Sequence, residues 1–157
     1  MPAGRHSWPR CGELSFNNDT PPMVCAGHSA HDAEPSVTIS RLDHVQLAMP
    51  AGREDEARAF YQGLLGIPGT PKPANLALRG GCWFENGSVK VHLGVDKDFA
   101  AARKAHPAFI VDDLAMLVRR LERAGHPVRD DEPLEGFDRV YVDDPFGNRI
   151  ELMQPKA

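Results

Sequence analysis

The sequence predicts an α+β fold built from two successive βαβββ modules that form a curved mixed sheet around a cleft. Three observations carry this prediction: an alternating segment precedes an amphipathic helix, extended segments follow that helix, and the same order then recurs. With 157 residues, 41% hydrophobic and 25% charged, the chain has the size and composition of one ordinary globular domain.

The first module begins at residues 42–48, which alternate between apolar and polar side chains as a half-buried strand does. A helix over residues 54–65 follows, because apolar side chains recur there at helical spacing and Gly66 provides a stop. Three extended segments complete the module, and Asn86-Gly87 between the last two is a strong hairpin signal. These segments are residues 75–79, 81–85 and 88–95.

The second module repeats this order. Residues 107–111 predict its first strand, and residues 113–124 predict a helix that ends before Gly125. Three further strands are predicted, and the turn sequence of residues 144–148 joins the last two. They cover residues 128–130, 139–142 and 149–154.

The boundaries follow from where periodicity begins and ends. Residues 1–38 mix Pro, Gly, Ser, Asn and His and show neither the helical nor the strand periodicity of apolar side chains, so we expect a disordered N-terminal extension. The remaining residues, 39–157, form the predicted domain. Within it, module one covers residues 39–95, a linker covers 96–105 and module two covers 106–155.

Charge, cysteine usage and hydropathy exclude several classes of protein. A net charge of -4 disfavours a nucleic-acid-binding protein, which needs a basic surface. Cys11, Cys25 and Cys82 are odd in number and widely spaced, so neither a disulfide framework nor a cysteine-rich zinc site is indicated. We found no apolar run long enough for a membrane span and no secretory signal, and we therefore expect a cytoplasmic protein.

The internal repeat also aligns residues that bind metals. His44 and His106 stand at the first strand of their modules, and His92 and Glu151 stand in the last strands, each between apolar neighbours. Strand alternation sends those neighbours to one face and the four ligand-type side chains to the other. The sequence therefore predicts one divalent metal ion at this site, with zinc, iron, nickel, cobalt or manganese suited to imidazole and carboxylate ligands.

The same alternation indicates which other side chains face the predicted cleft. Trp83 and Phe84 are neighbours on one strand, and we expect Trp83 to form the wall of the cleft. Lys90 and Arg139 would suit an anionic group of a substrate, although exposed charges at sheet edges explain them equally well. The predicted substrate-binding residues are Gln46, Trp83, Lys90, Arg139 and Tyr141.

Three motifs resemble the vicinal oxygen chelate superfamily over about residues 39–155. This superfamily includes glyoxalase I, methylmalonyl-CoA epimerase, fosfomycin-resistance transferases, extradiol dioxygenases and bleomycin-binding proteins. The motifs are Leu42-Asp43-His44-Val45, then Phe60-Tyr61 with Leu64-Leu65-Gly66, and finally Asp143-Asp144-Pro145-Phe146-Gly147-Asn148 leading into Ile150-Glu151-Leu152.

This resemblance implies metal positions at His44, His92, His106 and Glu151, a small-molecule substrate and a homodimer. Members similar to glyoxalase I carry Glu at the position of His92, so this chain departs from their pattern. Dioxygenases and fosfomycin enzymes use a His, His, Glu set that matches His44, His106 and Glu151, which leaves His92 as an acid or base.

The resulting expectation is a metal-dependent lyase or isomerase that acts on a small oxygen-bearing substrate, with His92 and Glu151 as the catalytic residues. A metal that chelates two oxygens of a substrate stabilises an enediolate, and His92 has an ordinary pKa suited to moving a proton near neutral pH. An extradiol-type dioxygenase and a metal-free drug-binding or metabolite-binding protein are the alternatives.

Overall fold

The structure is a computed structural model that describes residues 38–157. Residues Ile39–Ala157 form one compact unit. The predicted disordered extension, residues 1–38, lies outside the described residues except for Thr38. Within residues 38–157, none of the helices is both long and apolar enough to span a bilayer.

Two four-stranded mixed sheets form the domain, one for each predicted module. Their strands are β1 (Val45–Met49), β2 (Gly69–Thr70), β3 (Cys82–Asn86), β4 (Val89–Val95), β5 (Ala108–Ile110), β6 (Val128–Arg129), β7 (Phe137–Asp143) and β8 (Arg149–Pro155). The first sheet has the order β1-β4-β3-β2, and the second has the equivalent order β5-β8-β7-β6. In each sheet the first strand of the module pairs in parallel with its last strand, and the other pairs are antiparallel. The predicted fold class is thereby confirmed.

Helical segments connect the strands. They are α1 (Glu54–Ala57), a π-helix that continues it (Arg58–Leu64), α2 (Ala74–Ala77) and α3 (Leu114–Arg123). At the start of α3, the Asp113 carboxylate accepts a hydrogen bond from the Met116 backbone N–H at 2.8 Å, which satisfies a free donor of the first turn.

Two local predictions for the first module were wrong. Residues 75–79 are not a strand, because the Pro73 carbonyl accepts the N–H groups of Leu76 and Ala77 and so begins α2 instead. The predicted α-helix over residues 54–65 is α-helical only in its first turn. The remainder is a π-helix that contains Gly63, and glycine is a poor α-helix former.

The hydrophobic core lies on one face of each sheet. Val91 and Leu93 of β4, and Ile150 and Leu152 of β8, are all at most 1% exposed. These residues pack in one cluster with aromatic side chains of the π-helix and apolar side chains of α3. Because successive residues of a strand point to opposite faces, the residue between each of these pairs points away from the core.

The turn between β7 and β8 joins the two modules through a buried carboxylate. Asp144 is 4% exposed and accepts hydrogen bonds from the Tyr61 hydroxyl at 2.9 Å and from the backbone N–H groups of Phe146 and Asn148. The Asn148 side chain donates to Asp144 and also to the Ala48 carbonyl at 2.8 Å. This network ties β8 to the end of β1 and to the π-helix.

We expect Tyr61→Phe to lower the free energy of unfolding by about 1.5–3 kcal/mol, the usual value for a hydrogen bond to a charged group. Burial, followed by the charge of Asp144, already holds the pKa of Tyr61 well above its ordinary value, so the lost group is a neutral hydroxyl donor. Urea denaturation measures the change. Leu78→Ala, at a side chain that is 95% exposed, is the control and should stay within about 0.5 kcal/mol of the parent. Equal stability of Tyr61→Phe and parent would contradict this role.

Candidate functional site

Three rings stack on the open face of the first sheet. Trp83 and His92 are cross-strand partners, and their rings lie 4.1 Å apart at an interplanar angle of 8°. His44, immediately before β1, stacks on the same imidazole at 4.3 Å and 25°. The Nε2 atom of His92 lies 3.4 Å from Oε1 of Glu85. His92 is therefore only 6% exposed although it points away from the core.

This enclosure changes the acid–base behaviour of His92. Burial lowers its pKa, the charge of His44 lowers it further, and the contact with Glu85 raises it only in part. The net shift is downward from the ordinary value of 6.5. His92 is consequently neutral near neutral pH, which is the form that binds a metal or accepts a proton.

A second cluster occupies the equivalent face of the second sheet. The Nε2 atom of His106 lies 3.3 Å from Oε2 of Glu151, and the other carboxylate oxygen of Glu151 accepts a hydrogen bond from Arg139 at 2.8 Å. The same Arg139 nitrogen lies 2.7 Å from the hydroxyl of Tyr141, which is directly opposite Glu151 in the β7–β8 register. Glu151 is thus 7% exposed and surrounded by polar partners.

These partners keep Glu151 ionised. Burial alone raises the pKa of this carboxyl group, but the hydrogen bonds from Arg139 and His106 outweigh it. The pKa of Glu151 therefore lies below its ordinary value of 4.5, and the group is an anion throughout the neutral range.

The structure brings the four predicted metal ligands together as two pairs, His44 with His92 and His106 with Glu151. Within residues 38–157, no three His, Cys, Asp or Glu side chains are grouped closely enough to hold a metal ion. His44 and His106, one from each pair, line the same cavity of about 420 Å³. The single chain therefore contains two half sites that border a common space.

Comparison with known proteins identifies the family. The sequence profile of the Glyoxalase/Bleomycin resistance protein/Dioxygenase superfamily matches residues 41–152, which include both modules. The chain belongs to this superfamily. The resemblance in the sequence motifs is thereby confirmed. No curated protein matches this sequence.

Solved structures agree with this assignment. A protein from Bacillus anthracis described as a glyoxalase family protein is 46% identical, covers 77% of this chain and 99% of its own, and has a TM-score of 0.73. The fosfomycin resistance protein FosX from Listeria monocytogenes is 17% identical over 76% of this chain and 94% of its own, with a TM-score of 0.59. TnmS3, an antibiotic-binding protein from Streptomyces, is 19% identical over 77% of this chain and 100% of its own, with a TM-score of 0.59. The last two similarities show the fold alone.

The His106–Glu151 pair of this glyoxalase-superfamily chain fits a divalent metal. Nδ1 of His106 lies 2.7 Å from the Lys104 carbonyl oxygen, which only accepts, so Nδ1 carries the proton. When Nδ1 carries the only ring proton, the Nε2 lone pair of His106 faces the ionised carboxylate of Glu151 at 3.3 Å, and both atoms are then available to one cation. Two ligands of a tetrahedral zinc ion lie about 3.3 Å apart when each is about 2.0–2.1 Å from the metal.

The predicted substrate-binding residues lie on these same two faces, but their charges are largely paired. Lys90 forms an ion pair with Asp43 at 2.9 Å, and Arg139 forms one with Glu151. Gln46 is the cross-strand partner of His92 and lies over Gly94, where a Cβ atom would meet the Gln46 amide nitrogen at 2.9 Å.

Sequence reasoning missed three residues at this site. Asp43 accepts a hydrogen bond from Lys90 and also contacts the ring of His44. Glu85 contacts the ring of His92. Arg149 lies over the Tyr141 ring, with 5.5 Å between its Cζ atom and the ring centroid. Alternation along β8 places Arg149 on the face of Glu151, and this signal was available from the sequence.

We expect Lys90→Met to raise the pKa of Asp43 from about 2 towards its ordinary value of 3.8. The hydrogen bond from Lys90 is the largest cause of the low pKa, and the contact with His44 is the next. Because the pKa of Asp43 is lower in the folded protein, its ionised carboxylate stabilises the fold above about pH 4. This contribution is lost as the pH falls from 3.8 to about 2.

Carboxyl-carbon NMR titration measures this pKa. Lys97→Met is a matched control, because Lys97 forms an ion pair with the exposed Asp98 at 3.8 Å, and it should leave the pKa of Asp43 unchanged. If Asp43 already titrates near 3.8 in the parent, the Lys90–Asp43 pair does not form in solution.

Proposed function

We propose that this protein is a metal-dependent glyoxalase-like enzyme, a lyase or isomerase that acts on a small oxygen-bearing molecule. The observation that carries the proposal is the His106–Glu151 pair, in which an imidazole nitrogen and a carboxylate oxygen lie 3.3 Å apart, the spacing of two ligands of one zinc ion. His44 and His92 form the equivalent pair of the first module, so the four side chains are the proposed ligand set.

The roles follow from the chemistry of each group. When bound, a divalent metal supplies Lewis-acid stabilisation of negative charge on substrate oxygens. Arg139 holds one oxygen of Glu151 and leaves the other for the metal. His92, buried and neutral, is the base that we favour for moving the carbon-bound proton of the substrate. In that case His44, His106 and Glu151 hold the metal, and His92 is not a ligand. Glu151 is the other candidate for the base. Trp83 covers one face of His92 and limits its access to water.

We further propose that a homodimer completes the site. The superfamily resemblance implies a dimer, and the two half sites of one chain do not close on a single metal among the described residues. In this arrangement the His44–His92 pair of one protomer meets the His106–Glu151 pair of its partner.

Mixing two defective variants tests this arrangement. One variant carries His44→Ala and His92→Ala, and the other carries His106→Ala and Glu151→Ala. Each alone should bind no metal, whereas a heterodimer isolated through two different tags should regain a single site, because one combination of half sites is intact. Failure of the heterodimer to bind metal, with the parent binding it, would place the whole site within one chain.

Elemental analysis of untagged protein purified without chelators tests the metal itself. We expect near-stoichiometric metal in the parent and none in the variant His106→Ala, Glu151→Ala. The control exchanges Glu122 and His126 of the same module for Gln, which changes the same residue types outside the site. Absence of metal from the parent, even after addition of zinc, nickel, manganese or ferrous iron, would overturn the enzyme proposal.

The element found then separates the two enzymatic alternatives. Zinc-dependent or nickel-dependent activity without oxygen uptake supports the lyase or isomerase. Ferrous iron together with oxygen consumption on catechol-type substrates supports an extradiol-type dioxygenase.

A metal-free binding protein is the second candidate, and the stack of Trp83, His92 and His44 favours it because such a surface suits a planar ligand. A protein with a similar fold, TnmS3 from Streptomyces, is an antibiotic-binding protein. Equal affinity for a bleomycin-type ligand before and after chelation would support this candidate.

A further inference from the structure

Arginine side chains crowd the site face of the second sheet. Arg129 forms a bidentate ion pair with Asp143, at 2.7 and 2.8 Å, and Arg139 forms the ion pair with Glu151. Arg149 is the third arginine of this face. Among residues 38–157, it has no carboxylate oxygen within 4.0 Å.

The backbone register explains why Arg149 has no counter-ion. Its cross-strand partner is Asp143, the natural acid for a salt bridge, but both oxygens of Asp143 are engaged by Arg129. Asp131 is the other nearby acid, and it contacts Arg139 at 3.3 Å. Arg149 lowers the pKa of Asp131 only through a longer-range charge effect, and this effect is smaller than the charge effects of Arg139 and Lys104.

Arg149 is held in place although it is not ion-paired. Its guanidinium lies over the ring of Tyr141, and the half-buried side chain is restrained by this cation–π contact. Arg149 and Glu151 are two residues apart on β8 and point to the same face, so their Cα atoms are about 6.6 Å apart. A restrained cation therefore lies beside the proposed metal-binding carboxylate.

We propose that Arg149 binds an oxyanion of the substrate, so that the enzyme acts on a small anionic molecule bearing a carboxylate, phosphonate or phosphate group. This inference rests on the proposed function, because it assigns the substrate class of the same site. A guanidinium offers two parallel N–H groups that match two oxygens of such an anion. Lys90 and Arg139 are less suited to this role because each already has a carboxylate partner.

The test measures binding of acetate, methylphosphonate and neutral acetamide by titration calorimetry, with metal-free and with zinc-loaded protein. The variants are Arg149→Gln and Arg149→Lys, and Arg119→Gln on the exposed surface of α3 is a control with the same change of charge. Arg149→Gln should weaken anion binding by about tenfold to hundredfold, and Arg149→Lys by less. Arg119→Gln should bind as the parent does, and acetamide should not bind.

Comparison of acetate with methylphosphonate separates a carboxylate-binding from a phosphonate-binding site. Unchanged anion affinity in Arg149→Gln, or no anion binding by the parent, would overturn the inference. If zinc still binds in that case, the proposed metal-dependent function stands. If zinc does not bind but anion binding still depends on Arg149, the metal proposal fails while the anion site remains.

Discussion

The packing of β4 and β8 against the core is the constraint on which the site depends. Each strand buries two aliphatic side chains at 0–1% exposure, and the residue between them is His92 in β4 and Glu151 in β8. Because side chains alternate along a strand, burial of the aliphatic pair forces the polar residue onto the opposite face. A shift of one residue in either strand would bury the His or Glu and expose the core.

The polar faces are organised by charge pairing. Arg139 neutralises Glu151, Lys90 neutralises Asp43 and Arg129 neutralises Asp143. These pairs satisfy most of the charged groups that the sheets place side by side. Two features of residues 38–157 bear on the proposals. The imidazole nitrogen of His106 and a carboxylate oxygen of Glu151 lie 3.3 Å apart, and the Arg149 guanidinium has no carboxylate partner.

The local sequence pattern was sufficient to predict the repeat, every strand except β2, and the sheet face on which His92 and Glu151 lie. His92 and Glu151 lie on the open faces, and the orientation of Trp83 towards His92 with Phe84 fully buried is the one that alternation indicates. The two errors in the first module arose where backbone hydrogen bonding, at Pro73 and along the π-helix, overrode the side-chain pattern.

The ion pairs lay beyond sequence reasoning for a different reason. Asp43 and Lys90 are 47 residues apart, and Arg129 and Asp143 are 14 apart, so their contacts depend on strand register. Without that register, Lys90 and Arg139 look available for a substrate and Arg149 attracts no notice. Once the register is known, Lys90 and Arg139 are seen to be ion-paired, and Arg149 is the cation of this face that has no carboxylate partner among residues 38–157.

X-ray absorption spectroscopy at the zinc edge of the zinc-loaded protein tests the central claim most directly, since it measures the ligands around the metal. We expect imidazole nitrogen and carboxylate oxygen ligands at about 2.0–2.2 Å. In His106→Ala the number of imidazole ligands should fall by one. A spectrum that is unchanged in His106→Ala, or one dominated by sulfur ligands at about 2.3 Å, would contradict a metal site at the His106–Glu151 pair.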